Sequence, residues 1–218
     1  MLLPRERAQI MRNRFFASLL AVLGTCLSWS VAAQTVTFDF DTGTPPLFVG
    51  QGLPLDQTSA GVTAHFSSPV GGGYSVQTDT STGYRLSQFS GHYLWPNALD
   101  TKFLDIQFSR QLTSITLTFA TADFQQVEVP TTIQLTAYVD STGAPAVGSV
   151  TAHGAYAGDT MPMGTLTFSS TVPFNVVRLE IPYQAQAASG FLVDDVGVTP
   201  APVTAPRAPR KHLRRLTP

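Results

Sequence analysis

The residues best suited to do chemistry in this sequence are aspartates, and they fall in two pairs far apart in the chain. Asp39 and Asp41 stand in Phe38-Asp39-Phe40-Asp41. Asp194 and Asp195 stand in Gly190-Phe191-Leu192-Val193-Asp194-Asp195-Val196-Gly197-Val198. If both runs are strands and the terminal strands are neighbours, the carboxylates repel one another across the pair. A hard divalent cation removes that repulsion, and Ca²⁺ accepts a mixed shell of carboxylate and backbone oxygens. The expectation is a structural calcium held by Asp39 or Asp41 with Asp194 or Asp195. The plainer alternative, aspartates that are solvated or cap turns, stands beside it.

A second candidate is aromatic. Gly91-His92-Tyr93-Leu94-Trp95-Pro96 follows Tyr74 and Tyr84 in loop-rich sequence. Exposed ring faces can stack on sugar rings while Asn and Arg bond the hydroxyls. Tyr93, Trp95, Asn97 and Arg85 are therefore candidate ligand-binding residues. The alternative is that Tyr93 and Trp95 pack in the core, where large aromatics dominate burial.

Catalysis has no recognisable signature. His65, His92 and His153 lack metal-ligand spacing. No Gly-x-Ser-x-Gly elbow and no phosphate-binding glycine loop is present. Paired carboxylates for glycoside hydrolysis need only meet in space. Between Gln34 and Thr199, however, the only glutamates are Glu128 and Glu180, and surface charge explains both.

The elements that must carry these residues read as strands. Val36, Phe38 and Phe40 alternate with Thr35, Thr37 and Asp39. The same period of two runs through 104–108, 115–119, 133–139 and 177–181, the mark of strands with one buried face. Asp140-Ser141-Thr142-Gly143-Ala144-Pro145, Gly71-Gly72-Gly73, Ser81-Thr82-Gly83 and Ala157-Gly158-Asp159 are turn signals,. Short strands with frequent turns predict an all-β fold, an antiparallel β-sandwich or barrel.

The flanks differ from this region. Arg5, Arg7, Arg12 and Arg14 lead into an apolar stretch from Phe15 to Leu27, too short to span a bilayer,. Val31-Ala32-Ala33 then supplies a small-residue cleavage pattern,. Residues 1–33 read as a signal peptide and the protein as secreted, periplasmic or extracellular, with no transmembrane span after cleavage. Either Met1 or Met11 can serve as the start. Leu23-Gly24-Thr25-Cys26 also resembles a lipoprotein box, a competing reading with a poorly fitting Thr25. Cys26 is the one cysteine, so cleavage after Ala33 leaves no disulfide and no thiolate. Residues 200–218 carry five prolines and the basic Arg207, Arg210, Lys211, Arg214 and Arg215, which reads as a disordered Pro-rich tail.

Between the flanks, residues 34–199 hold four Lys or Arg against thirteen Asp or Glu, a net charge of −9. Such a surface repels phosphate backbones, which excludes nucleic acid as a partner of the domain.

The Phe-Asp-Phe-Asp start, the Thr-rich alternating middle and the closing Phe191–Val198 run resemble secreted bacterial jelly-roll modules. These are similar to galactose-binding-like and carbohydrate-binding domains, and they often accompany C-terminal sorting anchors. The resemblance spans about Val36 to Thr199. It implies a jelly-roll sandwich, often with calcium near paired acids. No apolar helix follows Pro200-Ala201-Pro202, so the anchored pattern is incomplete here.

The expectation is a non-catalytic extracellular module, 34–199, that binds glycan or another cell-surface component. A purely structural matrix protein without a ligand pocket and, more weakly, a small hydrolase are the alternatives. Oligomeric state is left open.

Overall fold

The computed structural model describes residues 34–69, 73–98, 101–122, 131–156, 158, 161–182 and 190–203. The expected signal peptide lies outside the described residues, as does the expected basic tail beyond Val203. Among the described residues, no helix is long and apolar enough to cross a membrane.

The described strands are β1 (Val36–Phe38), β2 (Leu55–Ser59), β3 (Val62–Ser67), β4 (Tyr74–Thr78), β5 (His92–Pro96), β6 (Phe103–Thr121), β7 (Thr132–Tyr138), β8 (Ala146–His153), β9 (Met163–Glu180) and β10 (Phe191–Pro200). One turn of helix, α1 (Asp79–Thr82), follows β4. Every strand pairing is antiparallel.

Two long strands divide the molecule into layers. The first part of β6 pairs with β3 and with the end of β9, from Val176 to Glu180. Register shifts follow between Gln107 and Ser114. Beyond them β6 pairs with β10 and with the start of β9, from Met163 to Ser169. Strands that cross from one sheet to the other at such irregularities form the corners of sandwiches. The strands form one continuous hydrogen-bonded ladder, and these pairings fold it into two sheets: β4-β5-β10 with the second part of β6 and the start of β9, β1 also lying on β10, and β2-β3 with the first part of β6, the end of β9, β7 and β8. Their inner faces share one core. Phe38, Ile115, Phe119 and Phe191 from the first sheet are buried with Phe66, Ile106, Leu135 and Leu179 from the second. The fold is an all-β antiparallel sandwich, as the alternating runs indicate. The runs 104–108 and 115–119 belong to one bent strand.

The terminal strands are neighbours, with Val36 opposite Val198 and Phe38 opposite Val196. The Ser81-Thr82-Gly83 turn signal marks the end of α1. A capping box joins Thr78 and Ser81, and Gly83 closes the turn at φ 74°, a left-handed conformation in which glycine has no Cβ penalty.

A second, smaller core covers the outer face of the first sheet. Tyr93, Ala120, Met163 and Leu192 are buried there beneath Leu86 and Phe89. Leu86 and Phe89 belong to the segment 79–91, which runs from α1 to β5 and lies over the sheet as a strap. The middle of β5 and the start of β10 are thus covered on both faces.

Candidate functional site

The four aspartates come together where β1 and β10 pair. The Asp39 carboxylate ends β1 by accepting backbone bonds from Asp41 (3.1 Å) and Thr42 (2.8 Å) and bonds from the Thr42 hydroxyl (2.9 and 2.8 Å). Burial pushes Asp39 up, but these bonds outweigh it and hold the carboxyl below its ordinary value,. Asp41 Oδ1 accepts the His92 backbone N–H at 3.0 Å and lies 2.7 Å from His92 Nδ1.

Asp194 is fully buried. Its Oδ2 accepts the Ser90 N–H at 3.0 Å and its Oδ1 accepts the Asp195 N–H at 2.7 Å. Desolvation, with repulsion from Asp195 and Asp41, pushes it up to about 7 against the two backbone bonds,. Asp195 sits in a β-bulge of β10, at φ 48°, a conformation that aspartate adopts more readily than most residues. Burial and the charges of Asp39 and Asp41 raise it too. The expected repulsion between terminal strands is therefore present. Among the described residues, no group of three or more His, Cys, Asp or Glu side chains is placed to hold a metal ion.

The aromatic candidates lie beside this cluster, on the outer face of the first sheet. Trp95 is half-buried on β5, and Tyr84 of the strap stacks on it with ring centroids 5.3 Å apart and planes 20° apart. Ser75 lies directly across the ladder from Trp95, and Gln77 lies across from Tyr93. A row of polar groups flanks the indole. Gln77 Nε2 donates to Ser75 Oγ at 3.0 Å, and Ser75 Oγ donates to Asn97 Oδ1 at 2.6 Å. Asn97 and Arg85 are exposed.

Tyr93 falls differently. Its ring is fully buried in the small core, edge-on to Phe89 at 5.2 Å, and its hydroxyl pairs with Thr82 Oγ1 at 2.7 Å. Burial pushes that hydroxyl up to about 12. Tyr93 supports the platform from below and offers no ring face to a ligand. Tyr84, which the sequence reading names only as an upstream aromatic, belongs to this face, and Ser75 and Gln77 are members that the sequence reading leaves out. Their signal is weak: Ser75 and Gln77 sit at alternate positions of a strand that pairs with the Trp95 strand.

The histidines do not meet. His65 pairs with Asp56 at 2.7 Å on the β2–β3 hairpin, and His153 Nδ1 lies 2.8 Å from the Thr132 hydroxyl. Glu180 accepts a 3.4 Å bond from Gln134, and Glu128 lies outside the described residues.

No protein-family model matches this chain, and no curated protein does. Solved structures give distant likenesses. The K2 cleaved adhesin domain of Lys-gingipain is 13% identical at a TM-score of 0.48, covering 76% of this chain and 99% of that one. An isomalto-dextranase of Arthrobacter globiformis complexed with panose is 15% identical at a TM-score of 0.30, covering 66% of this chain but only 22% of that one. A carbohydrate-binding module from a Cellvibrio mixtus lichenase, in complex with cellotriose, is 11% identical at 0.28, covering 78% of this chain and 98% of that one. With each of these scores below 0.5, fold and site rest on this chain's own geometry.

Proposed function

We propose that this protein is a non-catalytic extracellular module that binds glycan through the Tyr84–Trp95 platform. One observation carries the reading: two half-buried aromatic rings lie nearly parallel at the margin of the small core on the outer face of the first sheet, flanked by Ser75, Gln77 and Asn97. Ligand sites of this kind combine aromatic surface with a few placed polar groups. A pyranose ring would lie on the aromatic surface, its hydroxyls bonding the amides of Asn97 and Gln77, with Arg85 at the rim. The acidic domain charge favours a neutral glycan over an anionic one.

The four aspartates support a structural role for calcium in the same reading. Their charges repel, and either a proton on Asp194 or a bound cation relieves that. Asp39 or Asp41 with Asp194 or Asp195 would hold the ion, the rest of its shell coming from main-chain carbonyls and water, a mixture calcium accepts. The ion would lock the terminal strands together and take no part in chemistry.

A structural matrix role is the second reading, and the stack itself favours it, because Tyr84 already occupies one face of the indole. Affinity electrophoresis of the purified protein through gels cast with neutral soluble polysaccharides separates the two. Retardation by at least one polymer, lost in Trp95→Ala, supports glycan binding. Equal mobility in every gel supports the matrix role.

A further inference from the structure

The platform joins Trp95 of β5 to Tyr84 of the segment that leads into that strand, the strap, 79–91. Its first end is fixed by the α1 cap and by Thr82, whose hydroxyl pairs with the Tyr93 hydroxyl at 2.7 Å. Its middle is seated by Leu86 and Phe89 in the small core. Tyr84 lies between these two anchors.

The far end is fastened from outside. Ser90 donates its N–H to Asp194 Oδ2 at 3.0 Å. Asp41, from the loop after β1, accepts the His92 N–H at 3.0 Å and stands 2.7 Å from His92 Nδ1. The Asp41 carboxyl also lies directly against Gly91. A Cβ there would collide with its Cγ and both of its oxygens, and Gly91 itself is at φ 60°, where an L side chain is strained. A side chain at 91 would be strained at that φ and would have to displace a carboxylate that reaches in from the loop after β1.

We propose that Asp41 and Gly91 are positioning residues for the glycan platform: they clamp the end of the strap, and the clamp keeps Tyr84 stacked on Trp95. Neither touches the ligand. The consequence for binding rests on the glycan reading, but the clamp itself is tested without any glycan.

The probe is the fluorescence of Trp95 in the purified protein, with EDTA present so that no divalent ion contributes. Trp95→Phe supplies the blank for any signal from Trp29. Two variants loosen the clamp. Asp41→Ala removes the carboxylate from a partly exposed position, which leaves no void in the core. Gly91→Ala expels the carboxylate by collision. Asp56→Asn, in the exposed His65–Asp56 pair of the β2–β3 hairpin, is the control. The expected result is stronger acrylamide quenching and a red-shifted emission in both clamp variants, and neither change in the control. Affinity for any retarding polysaccharide should fall roughly three- to tenfold, the cost of ordering one side chain on binding.

A folded Asp41→Ala protein with wild-type quenching and emission overturns the proposal, and it decides alone if Gly91→Ala fails to fold. The two readings fail separately. Altered quenching in a protein that no polysaccharide retards keeps the clamp and sinks the glycan. Retardation that Asp41→Ala leaves unchanged, with unchanged quenching, does the reverse.

Discussion

The ring of Tyr84 lies on the indole of Trp95, 5.3 Å between centroids and 20° between planes. Stacked aromatic surface anchors binding when a ligand covers it. Trp95→Ala should therefore weaken polysaccharide affinity by about 2 kcal/mol, roughly thirtyfold, the scale of an aromatic hot spot. Asn97→Ala should weaken it less. Affinity electrophoresis measures both, and a Trp95→Ala protein retarded like the wild type would remove the platform from the binding reading.

Asp194 makes stability depend on pH. Its folded-state value, about 7, stands above the ordinary 3.8, so between those values the native state holds a proton that the unfolded chain has lost. Stability is greatest below that window and falls as pH rises through it, by at most about 1.4 kcal/mol per unit. Asp195 acts in the same direction and Asp39 in the opposite one, at lower pH. Thermal melts at pH 5, 6, 7 and 8 in EDTA should show Tm falling from pH 5 to 7 and levelling off toward pH 8. Asp194→Asn should flatten that slope, and an equal slope in the variant would contradict the assignment.

If calcium fills the acidic cluster, it replaces the proton. Millimolar Ca²⁺ at pH 8 should then raise Tm over EDTA, with about 2.7 kcal/mol gained at a hundredfold excess over Kd. Asp194→Asn with Asp195→Asn should abolish the gain. Identical melts with and without calcium would leave protonation as the only relief of the repulsion.

Arg178 and Asp105 face each other between β9 and β6. They form a two-pronged pair, Nε to Oδ1 and Nη2 to Oδ2, each 2.7 Å. The fork needs a planar guanidinium. Arg178→Lys should lower stability by about 1 kcal/mol, the worth of one such hydrogen bond, read as a lower urea midpoint with unchanged slope. A midpoint equal to wild type would show the fork to be surface decoration.

The second-sheet strands were legible in the sequence where burial is one-sided. Residues 104–108, 133–139 and 177–181 alternate because one face meets the core and the other meets water. β5 and the start of β10 defeat that reading. Leu94 and Val193 face the main core while Tyr93 and Leu192 face the small one, so burial continues along the strand without a period. The approach of the two Asp pairs followed from one assumption about terminal strands, and the register bears that assumption out. The Tyr84–Trp95 stack and the Asp41–Gly91 contact join residues through a strap whose path only tertiary packing decides. No local pattern could announce them.

The pairing of β1 with β10 has a mechanical consequence. Val36 sits opposite Val198, so the two ends of the domain leave side by side from one edge. Tension applied through both ends would peel this ladder open rung by rung, whereas a sheared ladder loads all its rungs at once. A force–extension trace through these ends should show early rupture at low force, and a tall single peak would contradict it. A module attached this way hangs beside a taut chain as a pendant and adds little to its span.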